Sequence, residues 1–120
     1  MIDHVGIDVS DYQRSKRFYA AALAPLGYEL VMEPDENVGG FAAKGKPDFW
    51  LVGGNTAGGV HLAFATDDRA AVHAFHAAAL AAGGNDNGQP GLRPYHEHYY
   101  AAYVHDPDGN NVEVVCHIPA

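Results

Sequence analysis

Two histidines and one glutamate are candidate metal ligands in this sequence. His4 and His61 each open a stretch in which apolar residues alternate with others, and Glu113 lies in the last such stretch, Asn111–His117. Two neutral imidazoles and one carboxylate can hold Fe(II), Mn(II), Zn(II) or Ni(II) and leave positions open for water or substrate. A metal bound in this way would polarise substrate oxygens and stabilise the charge that develops on them.

Each candidate has a simpler explanation when it is considered alone. A single histidine in a strand is more often a hydrogen-bonded structural residue than a ligand. Glu113 stands between Val112 and Val114. A glutamate there is most often exposed on a half-buried strand, because a buried carboxylate without a partner is costly. The metal hypothesis therefore depends on elements that bring the three side chains together.

An internal repeat relates the two histidines. When His61 is placed on His4, the segment His4–Gly27 aligns without a gap with His61–Gly84. The identical pairs include Asp11/Asp68, Phe18/Phe75 and Leu23/Leu80. A repeat of this kind indicates duplicated architecture. If a pseudo-two-fold axis relates the copies, the two histidines lie across that axis.

Each copy predicts a strand, then a helix, then about three further strands. Ser10 or Asp11 can cap the first helix, and Asp67 or Asp68 the second. The predicted core contacts are Phe18, Phe75, Leu23 and Leu80. The glycines predicted to end the helices are Gly27, Gly83 and Gly84. The later strands are predicted over Tyr28–Glu33, Gly39–Ala43, Asp48–Val52, Tyr99–His105 and Asn111–His117, with an irregular insert over Asn85–His98.

Composition excludes several classes of partner. The formal net charge is -8, which argues against nucleic acid and anionic membranes as partners, since both require clustered positive charge. Cys116 is the single cysteine, so no intrachain disulfide can form, as in a reducing compartment. We expect no signal peptide and no membrane span, and therefore a cytoplasmic protein that acts on a small molecule.

Three segments carry a resemblance to a known family: DHVGIDVSD, GGVHLAFAT and YYAAYVHDPDGNNVEVVCH. With them the chain resembles the vicinal oxygen chelate superfamily of glyoxalases, bleomycin-resistance proteins and extradiol dioxygenases. The resemblance implies one α+β domain of two tandem βαβββ modules, at about 1–54 and 58–120. The modules would form a curved, cup-like mixed sheet with helices outside, usually in a homodimer. It also implies a divalent metal (Zn, Ni, Mn or Fe) held by His4, His61 and Glu113.

One position departs from the pattern of glyoxalase I. That enzyme typically carries a fourth ligand in the last strand of its first module, and the repeat places Trp50 there, at the position equivalent to Glu113. Tryptophan cannot bind a metal in this way. The resemblance therefore indicates a three-ligand relative, in the branch of small glyoxalase-like proteins without an assigned reaction.

Further residues are candidates for the pocket. His96 or His98, in the loop Pro94–Tyr100, could act as a general base beside Glu113. That loop could equally be a surface loop whose tyrosines pack on the sheet or on a partner subunit. Trp50, Tyr99 and Tyr103 are predicted to line the pocket and to favour a substrate with an apolar or aromatic part.

Two functions agree with these observations. The first is a metal-dependent enzyme of the lyase or isomerase type that binds neighbouring substrate oxygens to the metal. The second is a metal-free or degenerate-site protein that binds a small molecule without catalysis, as bleomycin-resistance proteins do.

Overall fold

Two similar units follow one another along the chain in a computed structural model that describes residues 1–120. The first unit contains β1 (Val5–Val9), α1 (Tyr12–Ala22), a 3-10 turn (Ala24–Leu26), β2 (Glu29–Asp35), β3 (Val38–Ala42) and β4 (Phe49–Gly53). The second contains β5 (His61–Thr66), α2 (Arg69–Ala81), β6 (Asn85–Leu92), β7 (Tyr100–His105) and β8 (Asn111–Cys116). The predicted α+β class is confirmed.

The strands form two four-stranded mixed sheets of the same topology. The strand orders are β1-β4-β3-β2 and β5-β8-β7-β6, with β1 parallel to β4 and β5 parallel to β8. In the first sheet Gly6 lies opposite Trp50, and in the second Ala63 lies opposite Glu113. Trp50 and Glu113 therefore occupy equivalent positions, as the repeat indicates.

The prediction of an irregular insert over Asn85–His98 is wrong for its first part. Residues 85–92 form β6, which pairs antiparallel with β7 and shifts register on either side of Gly88. Gly, Pro and Asn are rare in strands, so the composition indicated a loop. Because β6 is the edge strand of its sheet, Pro90 is tolerated there.

The helix ends follow the predicted chemistry. The side chain of Asp11 accepts a hydrogen bond from the N–H of Arg14 at 3.1 Å, and that of Asp68 accepts one from Ala70 at 2.9 Å. These aspartates, and not their neighbours, cap the two helices. The first helix ends earlier than predicted, at Ala22, and Gly27 instead ends the 3-10 turn that follows it, with a φ of 84°, a left-handed conformation that favours glycine.

One apolar core joins the two units. Phe18 and Leu23 from α1 and Phe75 from α2 are buried in it, as predicted, together with strand residues of both sheets. The prediction for Leu80 is wrong, since Leu80 is 37% exposed. The buried residues of α2 include Phe75 and Ala79, and Leu80 lies one position past that face of the helix. Neither helix is long and apolar enough to cross a membrane.

The turn between β7 and β8 is hydrogen-bonded to α1. The buried carboxylate of Asp106 accepts hydrogen bonds from the N–H groups of Asp108 and Asn110 and from the side-chain amide of Asn110. It also accepts one from the hydroxyl of Tyr19 in α1, at 2.5 Å. Burial and the Asp106 charge raise the pKa of Tyr19, so this hydroxyl remains a donor. Asp106 thus connects the second unit to the first.

We expect Asp106→Ala to lower the free energy of unfolding by about 3 kcal/mol, because it leaves buried donors without an acceptor. Urea unfolding measures this change. The matched control is Asp67→Ala, which removes an exposed carboxylate that does not cap α2 and should change stability by less than about 0.5 kcal/mol. Equal stability of the two variants would contradict the role given to Asp106.

Candidate metal and substrate site

Glu113 is a buried carboxylate on the face of the second sheet that points away from the core. Its neighbours Val112 and Val114 point into the core, whereas the Glu113 side chain is only 2% exposed on the opposite face. Two groups partner it there. The hydroxyl of Tyr99 donates a hydrogen bond to Oε2, and Nε2 of His61 lies 3.2 Å from Oε1. The partners explain how the carboxylate is tolerated in a buried position.

His61 is oriented by the backbone of β8. Its Nδ1 lies 3.0 Å from the carbonyl oxygen of Asn111. A carbonyl can only accept, so Nδ1 carries the proton of this hydrogen bond, and Nε2 is the atom that faces Glu113. A hydrogen bond to one imidazole nitrogen is the usual means by which a protein orients the other nitrogen toward a metal ion.

His4 directly precedes β1 of the first sheet, apart from this pair. Its Nδ1 is 2.7 Å from Oδ2 of Asp3, and its side chain is 59% exposed. No group of three or more His, Cys, Asp or Glu residues in the chain is arranged so that it could hold a metal ion. A single chain therefore brings together two of the three predicted ligands, His61 and Glu113, and does not by itself form the three-ligand site.

Trp50 gives the first sheet a flat aromatic surface in place of a carboxylate. Gly40 lies directly opposite it on β3, and a Cβ at Gly40 would be 2.8 Å from the indole ring. The absence of a side chain at this position lets the indole lie against the strand. His4, Gly6 and Trp50 line one shallow pocket together with Val38 and Val52. Trp50 is thus placed as a wall residue, with no charge to offer a metal.

Tyr103 and Tyr99 surround Glu113 in the second sheet. Tyr103 is directly opposite Glu113 on β7, and its ring lies against Gly88 of β6. Burial, followed by the hydrogen bond to Glu113 and its charge, raises the pKa of Tyr99. Burial and the same carboxylate raise the pKa of Tyr103. Both hydroxyls consequently stay protonated at neutral pH and serve as donors.

His96 and His98, the two histidines of the loop before β7, contact different groups. The His96 ring is 6.0 Å from the Tyr99 ring and 6.2 Å from the His117 ring, so it belongs to an aromatic cluster over Tyr99. Nε2 of His98 is 3.3 Å from Oε1 of exposed Glu97. Neither imidazole is hydrogen-bonded to Glu113. Of the two, His96 is the one whose ring contacts Tyr99, the residue that binds Glu113.

The hydrogen bond between Tyr99 and Glu113 is a contact that the sequence does not predict. Tyr99 was predicted to be a wall residue, whereas its hydroxyl binds the Glu113 carboxylate. Tyr99 lies just before β7, and the N–H of Arg93 donates to its carbonyl at 2.8 Å, which fixes the end of the loop. The cluster of aromatic residues in the loop was the only signal, and it does not indicate which ring turns toward the sheet.

We expect Glu113→Gln to lower the pKa of Tyr99, because an ionised phenol beside a carboxylate is opposed by its charge and the substitution removes that charge. NMR titration of ring-labelled tyrosine, with Tyr99→Phe for assignment, measures the change. Glu97→Gln removes a carboxylate from the same loop region and should leave the pKa of Tyr99 unchanged. An unchanged pKa in Glu113→Gln would contradict the proposed contact.

Comparison with known proteins agrees with this architecture. Residues 4–115 match the glyoxalase-like domain family. A glyoxalase/bleomycin resistance protein from Albidiferax ferrireducens is 32% identical with a TM-score of 0.80, over 95% of this chain and 96% of that one. A glyoxalase/bleomycin resistance protein/dioxygenase family enzyme from Burkholderia phytofirmans is 20% identical (TM-score 0.74), over 98% of each chain.

A lactoylglutathione lyase from Agrobacterium tumefaciens shares the fold at 22% identity, with a TM-score of 0.69 over 96% of this chain and 92% of that one. No functionally curated protein matched the sequence. The family match spans nearly the whole chain, and the Albidiferax protein agrees with it in sequence as well as in fold. The chain belongs to the family of glyoxalase-like domain proteins, within the vicinal oxygen chelate superfamily.

Proposed function

We propose that this protein is a metal-dependent glyoxalase-like enzyme that binds a divalent ion at His61 and Glu113 and acts on a small, oxygen-rich substrate. The observation that carries the proposal is the approach of His61 Nε2 to Glu113 Oε1 at 3.2 Å. Since Nδ1 of His61 donates to the carbonyl oxygen of Asn111, Nε2 is the ring nitrogen left to face a carboxylate oxygen. Two electron-rich atoms at this distance are stabilised by a cation shared between them, either a proton or a metal ion.

The chemistry of this pair fits a first-row divalent metal. Neutral imidazole with carboxylate is a donor set for Zn, Ni, Mn or Fe. Glu113 is itself hydrogen-bonded by Tyr99, and His61 by a backbone carbonyl, so both donors have the supporting contacts that metal ligands usually have. The pair supplies two ligands and leaves the third predicted ligand, His4, to be accounted for.

We propose that His4 of a second copy completes the site in a homodimer. The faces that carry His4 and Glu113 both turn away from the core that the two units share. The side chains of His4 and His61 are 59% and 53% exposed, so both are accessible to another chain. Pairing the first sheet of one chain with the second sheet of another would bring the three ligands together and enclose the two faces as a cup.

The chain's own residues then have distinct roles. When bound, the metal supplies polarisation of neighbouring substrate oxygens. Tyr99 positions the Glu113 carboxylate by donating to Oε2. Exposed His96, next to the Tyr99 ring, exchanges a proton between the substrate and solvent, with His98 as the second candidate base. Trp50 contributes the apolar wall. This set suits lyase or isomerase chemistry, in which a proton moves and no oxidant is needed.

The alternative is a protein that binds a small molecule without metal or catalysis. One observation favours it: a single chain holds no three-ligand group. The flat ring of Trp50, lying against Gly40, would then bind a planar ligand by stacking. The cytoplasmic location remains a prediction from the sequence.

Metal analysis of protein purified without a His tag separates the two functions. After incubation with Mn(II), Ni(II), Fe(II) or Zn(II), we expect stoichiometric metal in the wild type. His4→Ala, His61→Ala and Glu113→Ala should each bind the metal at least about tenfold more weakly, because each removes a ligand. His73→Ala removes an exposed histidine of α2, which packs against the opposite face of the sheet, and should bind as the wild type does. Metal at background level in the wild type, or full affinity in Glu113→Ala, would contradict the enzyme proposal.

A further inference from the structure

A row of three side chains crosses the site-bearing face of the second sheet. Glu113 on β8 is directly opposite Tyr103 on β7, so both side chains are on the same face. The Tyr103 ring lies against Gly88 of β6. Cζ of Arg93, which directly follows β6, is 5.2 Å from the centroid of that ring. Arg93 therefore places its guanidinium on the face that holds the Glu113 carboxylate, with one aromatic ring between them.

The backbone around Arg93 holds its side chain over this face. Nη2 donates a hydrogen bond to the carbonyl oxygen of Gln89 at 2.7 Å. A Cβ at Gly88 would lie 3.1 Å from Nη2, and one at Gly91 would lie 3.3 Å from Nη1. The two glycines thus leave room for the guanidinium against β6. Arginine stacked on an aromatic ring and bonded to a carbonyl loses little further freedom when it binds a ligand.

Arg93 has no acidic partner in a strongly acidic chain. The formal net charge is -8, and Arg14, Lys16 and Lys46 each pair with an aspartate or glutamate. Half-buried Arg93 makes no salt bridge, and its side-chain hydrogen bonds go only to the carbonyl oxygens of Leu92 and Gln89. A guanidinium has five N–H donors, so several remain for a ligand.

We propose that Arg93 binds an anionic group of the substrate, and that the substrate is a small carboxylate or other oxyanion. The inference rests on the proposed function for the location of the site, since Arg93 and Glu113 share one face. It deepens that function by naming the charge of the substrate. The substrate's neighbouring oxygens would lie toward Glu113 and His61, and its anionic end would lie toward Arg93, beyond the Tyr103 ring. Arginine suits this task because its planar fork matches a carboxylate.

Anion binding to chelator-treated protein tests the inference without any metal. Succinate and inorganic phosphate are the anionic probes, and uncharged succinamide is the control ligand. NMR follows the Nε–H signal of Arg93 and the amide signals of Gly88 and Tyr103. We expect succinate to shift these signals saturably and succinamide to leave them unchanged. If phosphate binds more tightly than succinate, the anionic group is a phosphate and not a carboxylate.

Matched variants assign the effect to Arg93. Arg93→Met keeps an apolar stem against Tyr103 and should weaken succinate binding at least about tenfold, because it removes a charged hydrogen-bond donor. Arg93→Lys should recover part of the affinity. Arg17→Met removes the same charge from an exposed position on α1 and should bind as the wild type does. Dispersed spectra verify that each variant is folded.

The inference is overturned if neither anion shifts the Arg93 signal saturably, or if Arg93→Met binds both anions as the wild type does. Its failure is separable from failure of the metal proposal. We expect Arg93→Met to take up metal stoichiometrically, and anion binding at Arg93 does not require His4, His61 or Glu113 to hold a metal.

Discussion

The hydrogen bonds to Asp106 are the constraint on which the arrangement of the molecule depends. This buried carboxylate binds its own turn and, through Tyr19, the first helix of the other unit. Asp108 in the same turn accepts hydrogen bonds from the Ser10 backbone at 3.2 Å and from Arg14 at 3.3 Å. The hairpin that carries Glu113 is therefore fixed to the first unit, and the two units share one core. With both apolar faces used in that core, the faces carrying His4 and Glu113 point away from it.

The two units have diverged on a common backbone. Equivalent positions hold Trp50 against Gly40 in the first sheet and Glu113 against Tyr103 in the second. The first sheet consequently offers an apolar surface, whereas the second concentrates a buried carboxylate, an oriented imidazole and two phenol donors. Arg93 extends this polar row to the edge strand. Under the proposed function, the asymmetry would give a small substrate two different walls: one suited to an apolar part and one suited to oxygens and charge.

Much of this arrangement could be predicted from residue patterns. Alternation and the repeat predicted the strand–helix order and the equivalence of Trp50 with Glu113, and local chemistry limited each helix cap to two candidates. Strand β6 could not be predicted, since its Gly, Pro and Asn residues are poor strand formers that the pairing with β7 overrides. The Tyr99–Glu113 hydrogen bond depends on how an irregular loop folds back. The separation of His4 from His61 depends on how the two units pack, which no local pattern encodes.

The central claim is that one metal site takes His4 from one chain and His61 with Glu113 from another. Mixing chains tests it most directly. Differently tagged His4→Ala and Glu113→Ala chains, with tags that contain no histidine, are co-expressed and the mixed dimer is isolated. Each variant alone should bind the metal at least about tenfold more weakly than the wild type. The mixed dimer contains one intact set of ligands, so we predict that it binds one metal ion with the affinity of the wild type. A mixed dimer that binds no metal, beside a wild type that does, would show that each site is built within a single chain and would contradict the account.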